Sequence, residues 1–496
     1  MKNLWHKDFI FNKFIPFIVF LIAVYFPVFL HLSTDALGMW DEGFYALRAY
    51  NLAYYNEYLV NFNQFFENWD HPNTKPPLIT ILQALSFKTL GYNELALRLP
   101  IAISVLLMLF FLVYFSWKQF QNPTIGILAS LVLVTSPGFI THHIARTGDH
   151  DAVLAFWILL VFVYFYKTIT QTEKQNKYIW LVAMFLALAV LTKSAAGLFP
   201  LPAMLLFALY EKKLIKLLKN WQTWDAMALF LVLISSFYLY RAWKTPGFLQ
   251  DVWFQDFGGR LTGENHGHNH PWYYYINLFY NHDFIPWLFF IPFSVAILFT
   301  KSGKKYRRFG LYLLFCSISI LAIISFSSTK CEWYHASIFP LLALHVALGI
   351  NWLFERIKRM TKKEPKVVSW LITASLVLII YFIPYRDIIS KVAYPEKGWT
   401  EEQFGEYMKK MDPGLSYSVV PWDRNLCVMF YTEVVQNVGN RDIYFKTPRN
   451  EFETGEMVLC SIRSPWYKER FSYETVDTFK DMVLIKITGK LNDSSK

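Results

Sequence analysis

Apolar positions gather into blocks about 20 residues long, the length of helix needed to cross roughly 30 Å of hydrocarbon. Eleven such blocks are predicted as membrane spans, over residues 14–32, 95–117, 123–140, 151–168, 178–193, 197–210, 224–243, 284–300, 310–326, 336–352 and 367–385. With a cytoplasmic start, the loops on that side hold Lys118, then Lys167, Lys174 and Lys177, then Lys212, Lys213, Lys216 and Lys219. The last two hold Lys301, Lys304, Lys305, Arg307 and Arg308, then Arg356, Lys358, Arg359, Lys362 and Lys363. Every dense basic cluster therefore falls on one side, as the positive-inside rule requires. An odd number of crossings puts the end of the chain outside.

The opposite side receives three substantial polar segments. In the first, residues 33–94, Phe44, Leu47, Ala49, Leu52 and Tyr55 recur roughly every three or four residues, which predicts a helix along the membrane interface. A second helix is expected after Pro76–Pro77, since proline suits a first helical turn. The second segment covers residues 244–283. The third, residues 389–496, mixes a helical stretch, GWTEEQFGEYMKKM, with strand-like patches YSVVPW, CVMFY, DIYF, MVLCSI and MVLIKI. The predicted fold is mainly α: a polytopic membrane domain over residues 1–388 with about 11 (11–13) transmembrane helices, followed by a small extracytoplasmic α/β domain.

Composition agrees with this pattern. Hydrophobic residues make up 54% of the chain and charged residues 17%, against roughly 45–50% and 25% for a soluble domain. A net charge of +11 would suit nucleic acid, but its confinement to alternate short loops assigns it to topology and membrane lipid instead. Lys2, Lys7 and Lys13 precede the first span and no small-residue cleavage site follows it, so a retained first helix is expected. Four cysteines are too few for a disulfide scaffold. Cys427 and Cys460 are either a pair or two buried thiols.

Candidate chemistry lies at the outer ends of the spans. WDEGFYALRAY sets Asp41 and Glu42 at a membrane boundary, with Arg48 about two helical turns beyond. An aspartate there can cap a helix, or it can act as a general base, accepting a hydroxyl proton as a bond forms, worth roughly 10²–10⁴ in rate. RTGDHDAVLAFW places Asp149 and Asp151 at the start of an uncharged span, with Arg146 as the nearby partner. Carboxylates beside hydrocarbon are costly and mark function unless they merely close a loop. Lys75 precedes a stiff diproline and suits a phosphate held in a fixed place, or a snorkelling interfacial role. Lys193, Lys330 and Tyr334 share the same side, and three lysines on one face would make a phosphate-binding surface of charge-assisted contacts.

The segment GGRLTGENHGHNHPWYYY adds Arg260 and an H-x-H-x-H run of His266, His268 and His270. Imidazoles so spaced can bind a divalent metal, although the spacing matches no standard zinc motif. Hydrogen bonding to sugar or phosphate is the alternative, and no cofactor is required by the pattern.

Taken in order, WDEGFYA (40–46), KPPL (75–78), GYNELALRLP (91–100), DAVLAF (from Asp151), LTK (191–193), PWYYY (271–275) and TKxxxY (329–334) resemble the polyprenyl-phosphate-sugar-dependent transferases of the glycosyltransferase C superfamily. The bacterial aminoarabinose–lipid A transferases and protein O-mannosyltransferases are the nearest in pattern. The resemblance implies a catalytic base at Asp41, a second essential acid at Asp151 and a lipid-phosphate contact at Lys75. It also implies substrate contacts drawn from Glu42, Arg48, Arg146, Asp149, Lys193, Arg260, His270, Lys330 and Tyr334. It implies a bacterial inner membrane with the site and terminal domain in the periplasm, a lipid-linked sugar donor, and a lipid, protein or glycan acceptor. Two positions depart: Thr74 stands where the aminoarabinose transferases can carry an acid, and Ser194 replaces the glycine after LTK.

The chain shows no glycine-rich nucleotide turn, which agrees with a lipid-phosphate donor, and the expectation is inverting transfer of one sugar from a polyprenyl monophosphate carrier to an acceptor hydroxyl. A transporter, flippase or polymerase for lipid-linked glycans is the alternative. Transporters commonly show repeated halves and charges near the membrane midplane; neither pattern is visible here.

Overall fold

In the computed structural model the described residues are 15–38, 40–56, 73–141, 143–262, 268–361, 366–393, 400–411, 414–421 and 425–491. Contacts divide the chain into two units. One comprises Met1–Leu30, Leu59–Ile79 and Ile101–Tyr394, the other His31–Tyr58, Thr80–Pro100 and Pro395–Lys496.

The membrane helices run in chain order as α1 (Ile15–Phe29), α2 (Trp40–Tyr54), α3 (Leu78–Leu90), α4 (Glu94–Phe120), α5 (Pro123–Val134), α6 (Pro137–Ile140), α7 (Asp151–Thr170), α8 (Gln175–Lys193), α9 (Pro200–Tyr210) and α10 (Trp221–Lys244). They continue as α11 (Phe290–Leu298), α12 (Lys304–Phe326), α13 (Phe339–Met360) and α14 (Lys366–Ala393). The apolar blocks fall largely in helices, and the two helices expected in the first polar segment are present as α2 and α3.

Among the described residues, six helices are long and apolar enough to cross a membrane, or seven if a pair bent by 111° at Ile285–Pro286 counts as one. The apolar blocks predict eleven. Proline accounts for one of the differences: Pro123 and Pro137 each start a new helix, so the block over 123–140 splits into α5 and α6. Asn122 caps α5 by accepting the Thr124 N–H at 3.1 Å.

Within the first unit α7 and α13 are the inner helices. Their most apolar stretches are 83% and 89% buried, against 11% for α10, which lies at the periphery. α7 and α8 pack side by side along their length, joined by a short turn over residues 171–174.

The second unit contains a five-stranded sheet built from β1 (Tyr417–Val419), β2 (Ile443–Phe445), β3 (Met457–Ser461), β4 (Phe471–Phe479) and β5 (Met482–Lys490), in the order β2-β1-β3-β5-β4. β1 runs parallel to both neighbours, and β5 runs antiparallel to β3 and β4. Two helices join it, α15 (Thr400–Lys410) and α16 (Leu426–Glu433). The patch CVMFY, expected as a strand, lies in α16. It is apolar on every face, and Asn425 caps it by accepting the N–H groups of Cys427 (2.9 Å) and Val428 (3.2 Å). Cys427 and Cys460 are both buried free thiols. α2 packs on α16 so closely that a Cβ on Gly43 would stand 2.6 Å from the Cys427 nitrogen and sulfur, which explains a glycine directly after the two acids.

Candidate functional site

α7 and α8 are consecutive and antiparallel, so the first residue of one and the last of the other share an end. Those residues are Asp151 and Lys193, joined at 2.5 Å with side chains 3% and 12% exposed. Each also suits its own helix terminus, acid at the N-terminal end and base at the C-terminal end. The Lys193 ammonium lies 5.9 Å from the centre of the Tyr334 ring, which comes from the turn Glu332–Ile338 packed against α7.

Beyond Lys193 the chain reverses through Ser194, at φ 46° and ψ −126°, a conformation that glycine adopts freely and serine does not. Its hydroxyl accepts a hydrogen bond from Tyr238 of α10 at 2.9 Å. The following turn, Ser194–Leu198, packs against the π turn Trp253–Phe257. That π turn supplies Asp256, which pairs with Lys75, and Gln255, which accepts from the Thr74 hydroxyl at 3.3 Å. The Lys75 loop is braced further: Asn73 accepts the Lys75 N–H at 3.1 Å, and Arg241 of α10 donates to the Asn73 carbonyl at 2.9 Å. The segments that follow Lys193 and that hold Lys75 are thus packed neighbours.

Asp149 accepts from the Thr147 hydroxyl at 2.7 Å and lies 3.5 Å from His143 Nδ1. Arg146, paired with the aspartates in the sequence reading, donates to the carbonyls of Pro27 (3.0 Å) and Leu30 (2.5 Å), closing the end of α1. Lys193 is the partner of Asp151. The Lys330 ammonium donates to the Ser327 carbonyl at 2.5 Å, its backbone N–H to the His268 carbonyl at 2.8 Å. Burial lowers the Lys330 pKa below the ordinary lysine value.

His268 is exposed, and His270 stacks on Tyr274 with ring centres 4.0 Å apart. His266 lies outside the described residues, so the three-histidine set is described only in part. Arg260 sits in the short helix Gly258–Thr262.

The second unit holds the acidic pair that opens α2. Glu42 is buried and accepts two hydrogen bonds from Arg98, Nε to Oε1 at 2.7 Å and Nη2 to Oε2 at 2.9 Å. The remaining guanidinium nitrogen donates to the carbonyls of Leu32 (3.1 Å) and Asp35 (2.7 Å), so one arginine fixes the glutamate and the chain entering the helix. Asp41, one residue earlier, is half-buried. Arg48 lies over the Phe44 ring at 3.4 Å. Nearby, Tyr431 donates to Glu94 at 2.5 Å and receives the Leu37 N–H at 2.7 Å, and Lys409 also pairs with Glu94.

Sequence reasoning missed Arg98 and Asp256, the partners of two residues it singled out. Both carry a signal: Arg98 is a charge inside GYNELALRLP at the start of a span, and Asp256 is an acid within the aromatic run WFQDF.

The family model described as dolichyl-phosphate-mannose-protein mannosyltransferase matches residues 74–240. An uncharacterized protein of Aquifex aeolicus is 26% identical over 465 residues, covering 92% of this chain and 87% of that one. The undecaprenyl phosphate-alpha-4-amino-4-deoxy-L-arabinose arabinosyl transferase 2 of Proteus mirabilis is 22% identical over 317 residues. That match covers 63% of this chain and 55% of the relative. The crystal structure of ArnT from Cupriavidus metallidurans bound to undecaprenyl phosphate superposes with a TM-score of 0.68 at 15% identity, covering 96% of this chain and 98% of that one.

Proposed function

We propose that the chain is a membrane glycosyltransferase of the glycosyltransferase C superfamily using a lipid-phosphate-linked sugar, and that it moves one sugar, with inversion, from a polyprenyl monophosphate to an acceptor hydroxyl on the periplasmic side of the bacterial inner membrane. The acceptor is an envelope molecule: lipid A, a protein or another glycan. In this reading Asp41 takes the acceptor proton as its oxygen attacks the anomeric carbon. The bond from that carbon to the phosphate oxygen breaks, and the polyprenyl phosphate leaves carrying the electron pair. Lys75, Lys193, Lys330 and Arg260 face that phosphate, with Tyr334 and His270 beside it. Asp151 acts as a second essential acid, and Asp149, Arg146, Glu42 and Arg48 contribute substrate contacts.

The observation that carries the reading is the pairing of Lys193 with Asp151 and of Lys75 with Asp256, two nearly buried ammonium groups on packed segments. Each ammonium is held in place by a buried carboxylate. Such preorganised cations stabilise charge that develops on a leaving group.

The test is transfer by the purified full-length protein, given a panel of polyprenyl-phosphate sugars and acceptors, with product configuration read by NMR. Asp41→Asn should lower the rate by about 10²–10⁴. Undiminished transfer by that variant would overturn the base assignment. Movement of donor across liposomes without its consumption would overturn the transferase mechanism.

A further inference from the structure

We infer that Asp283 is a positioning residue, which by holding His335 sets Trp333 and Tyr334 against the groups that partner Asp149 and Asp151. The inference rests on the proposed role of those aspartates and of Lys193.

Asp283 closes the π turn Phe279–Asp283, and its side chain is 6% exposed. One carboxylate oxygen lies 2.7 Å from His335 Nε2 and the other 2.9 Å from His282 Nδ1. His335 sits in the turn Glu332–Ile338, its ring enclosed by Tyr275, Phe279 and Phe339 with centres 5.6, 5.0 and 4.9 Å away. Its Nδ1 has no hydrogen-bond partner among the described residues. The contact with Asp283 is therefore the polar tie that orients the ring. Tyr275 fixes the start of the same turn by donating to the Cys331 carbonyl at 3.0 Å.

The two residues before His335 reach the proposed site from this one turn. Trp333 stacks on His143, ring centres 4.1 Å apart, and His143 is the neighbour of Asp149. Tyr334 lies beside Lys193, the partner of Asp151. Asp283 touches the other approach to the site as well. A Cβ on Gly138 of α6 would meet its Cβ at 2.4 Å, and α6 leads toward His143, the neighbour of Asp149. One buried carboxylate thus holds together the loop and the turn between which the acids are set. His282 extends the tie outward, with Nε2 3.4 Å from Lys391 near the end of α14.

The experiment uses the full-length protein labelled with 5-fluorotryptophan, the Trp333 ¹⁹F resonance being identified by its loss in Trp333→Phe. His335→Leu and Asp283→Asn should move that resonance and lower kcat roughly tenfold or more, since small misplacements near reacting groups are costly. KM for the lipid donor should stay within about twofold, because the tie orients groups that act at the bond-breaking step. His335→Gln keeps an N–H donor where Nε2 stood and should restore both resonance and rate. Gly138→Ala displaces Asp283 without deleting a polar group and should move the resonance in the same sense, which covers the case of a His335→Leu chain that fails to fold.

An unmoved resonance in these variants overturns the inference. So does a fall in Tm with kcat per folded molecule unchanged. If the wild type transfers no sugar from any donor, the proposed function fails, while the resonance still decides whether Asp283 positions the turn.

Discussion

Two buried ion pairs, Glu42–Arg98 and Asp151–Lys193, use similar charges in different ways. In the first, a planar guanidinium meets both carboxylate oxygens and two backbone carbonyls, so four of its five N–H donors are spent on the chain around it. In the second, a single ammonium contact at 2.5 Å joins two helix ends, and the lysine sits on a flexible stem with donors left over. The first arrangement suits a fixed frame. The second suits a charge that must also meet a substrate. Adjacent acids at 41 and 42 consequently divide: Glu42 is built into the frame, and Asp41 is the one proposed for chemistry.

That contrast can be broken by truncating the bases. Arg98→Ala leaves Glu42 buried without its fork, and should cost about 3–5 kcal/mol of stability, read as a fall in Tm. Lys193→Ala should cost less stability, because the α7 terminus still favours Asp151, yet should lower transfer roughly 10²-fold. Equal losses of Tm, or transfer surviving Lys193→Ala, would erase the distinction.

A smaller effect sharpens the description of the Lys193 turn. Ser194 combines a glycine-like backbone with a hydrogen bond from Tyr238. Ser194→Gly relieves the first and loses the second, so Tm should barely change. Ser194→Ala keeps the strain and loses the bond, and should cost about 1 kcal/mol. A larger loss in the glycine variant than in the alanine variant would contradict the backbone argument.

The smallest effect concerns pH in the second unit. Burial raises the Glu433 pKa above the ordinary 4.5, against hydrogen bonds from Tyr55 and Asn437 that lower it. The folded state therefore binds more protons than the unfolded one above that value. Its contribution is complete below pH 4.5 and is lost as pH rises through the folded value. Hydrogen-exchange protection of α16, corrected for intrinsic rates, should fall with pH over that window, and Glu433→Gln should flatten the slope. Identical slopes in both chains would refute it.

The sequence made the helices legible because each apolar block reports its own burial, and it marked Asp151, Lys193 and Lys75 because a charge beside hydrocarbon needs a reason. It gave the partners poorly. Asp256 lies 181 residues from Lys75, and Arg98 lies 56 from Glu42; no periodicity links residues at such separations. α16 was misread because a short, wholly buried helix and a buried strand have the same apolar signature. β4 was missed because its burial pattern is largely exposed, as befits a strand at the sheet edge.

The sparse packing of α10 has a mechanical consequence. Only 11% of its most apolar stretch is buried, and it packs on one side, against α8, yet Tyr238 reaches Ser194 and Arg241 reaches Asn73, the residues beside Lys193 and Lys75. A helix that hydrocarbon holds on one side and two lysine-bearing loops hold on the other behaves as a lever. Changes in bilayer thickness, which tilt a lipid-facing helix, are delivered through those two side chains to the loops themselves.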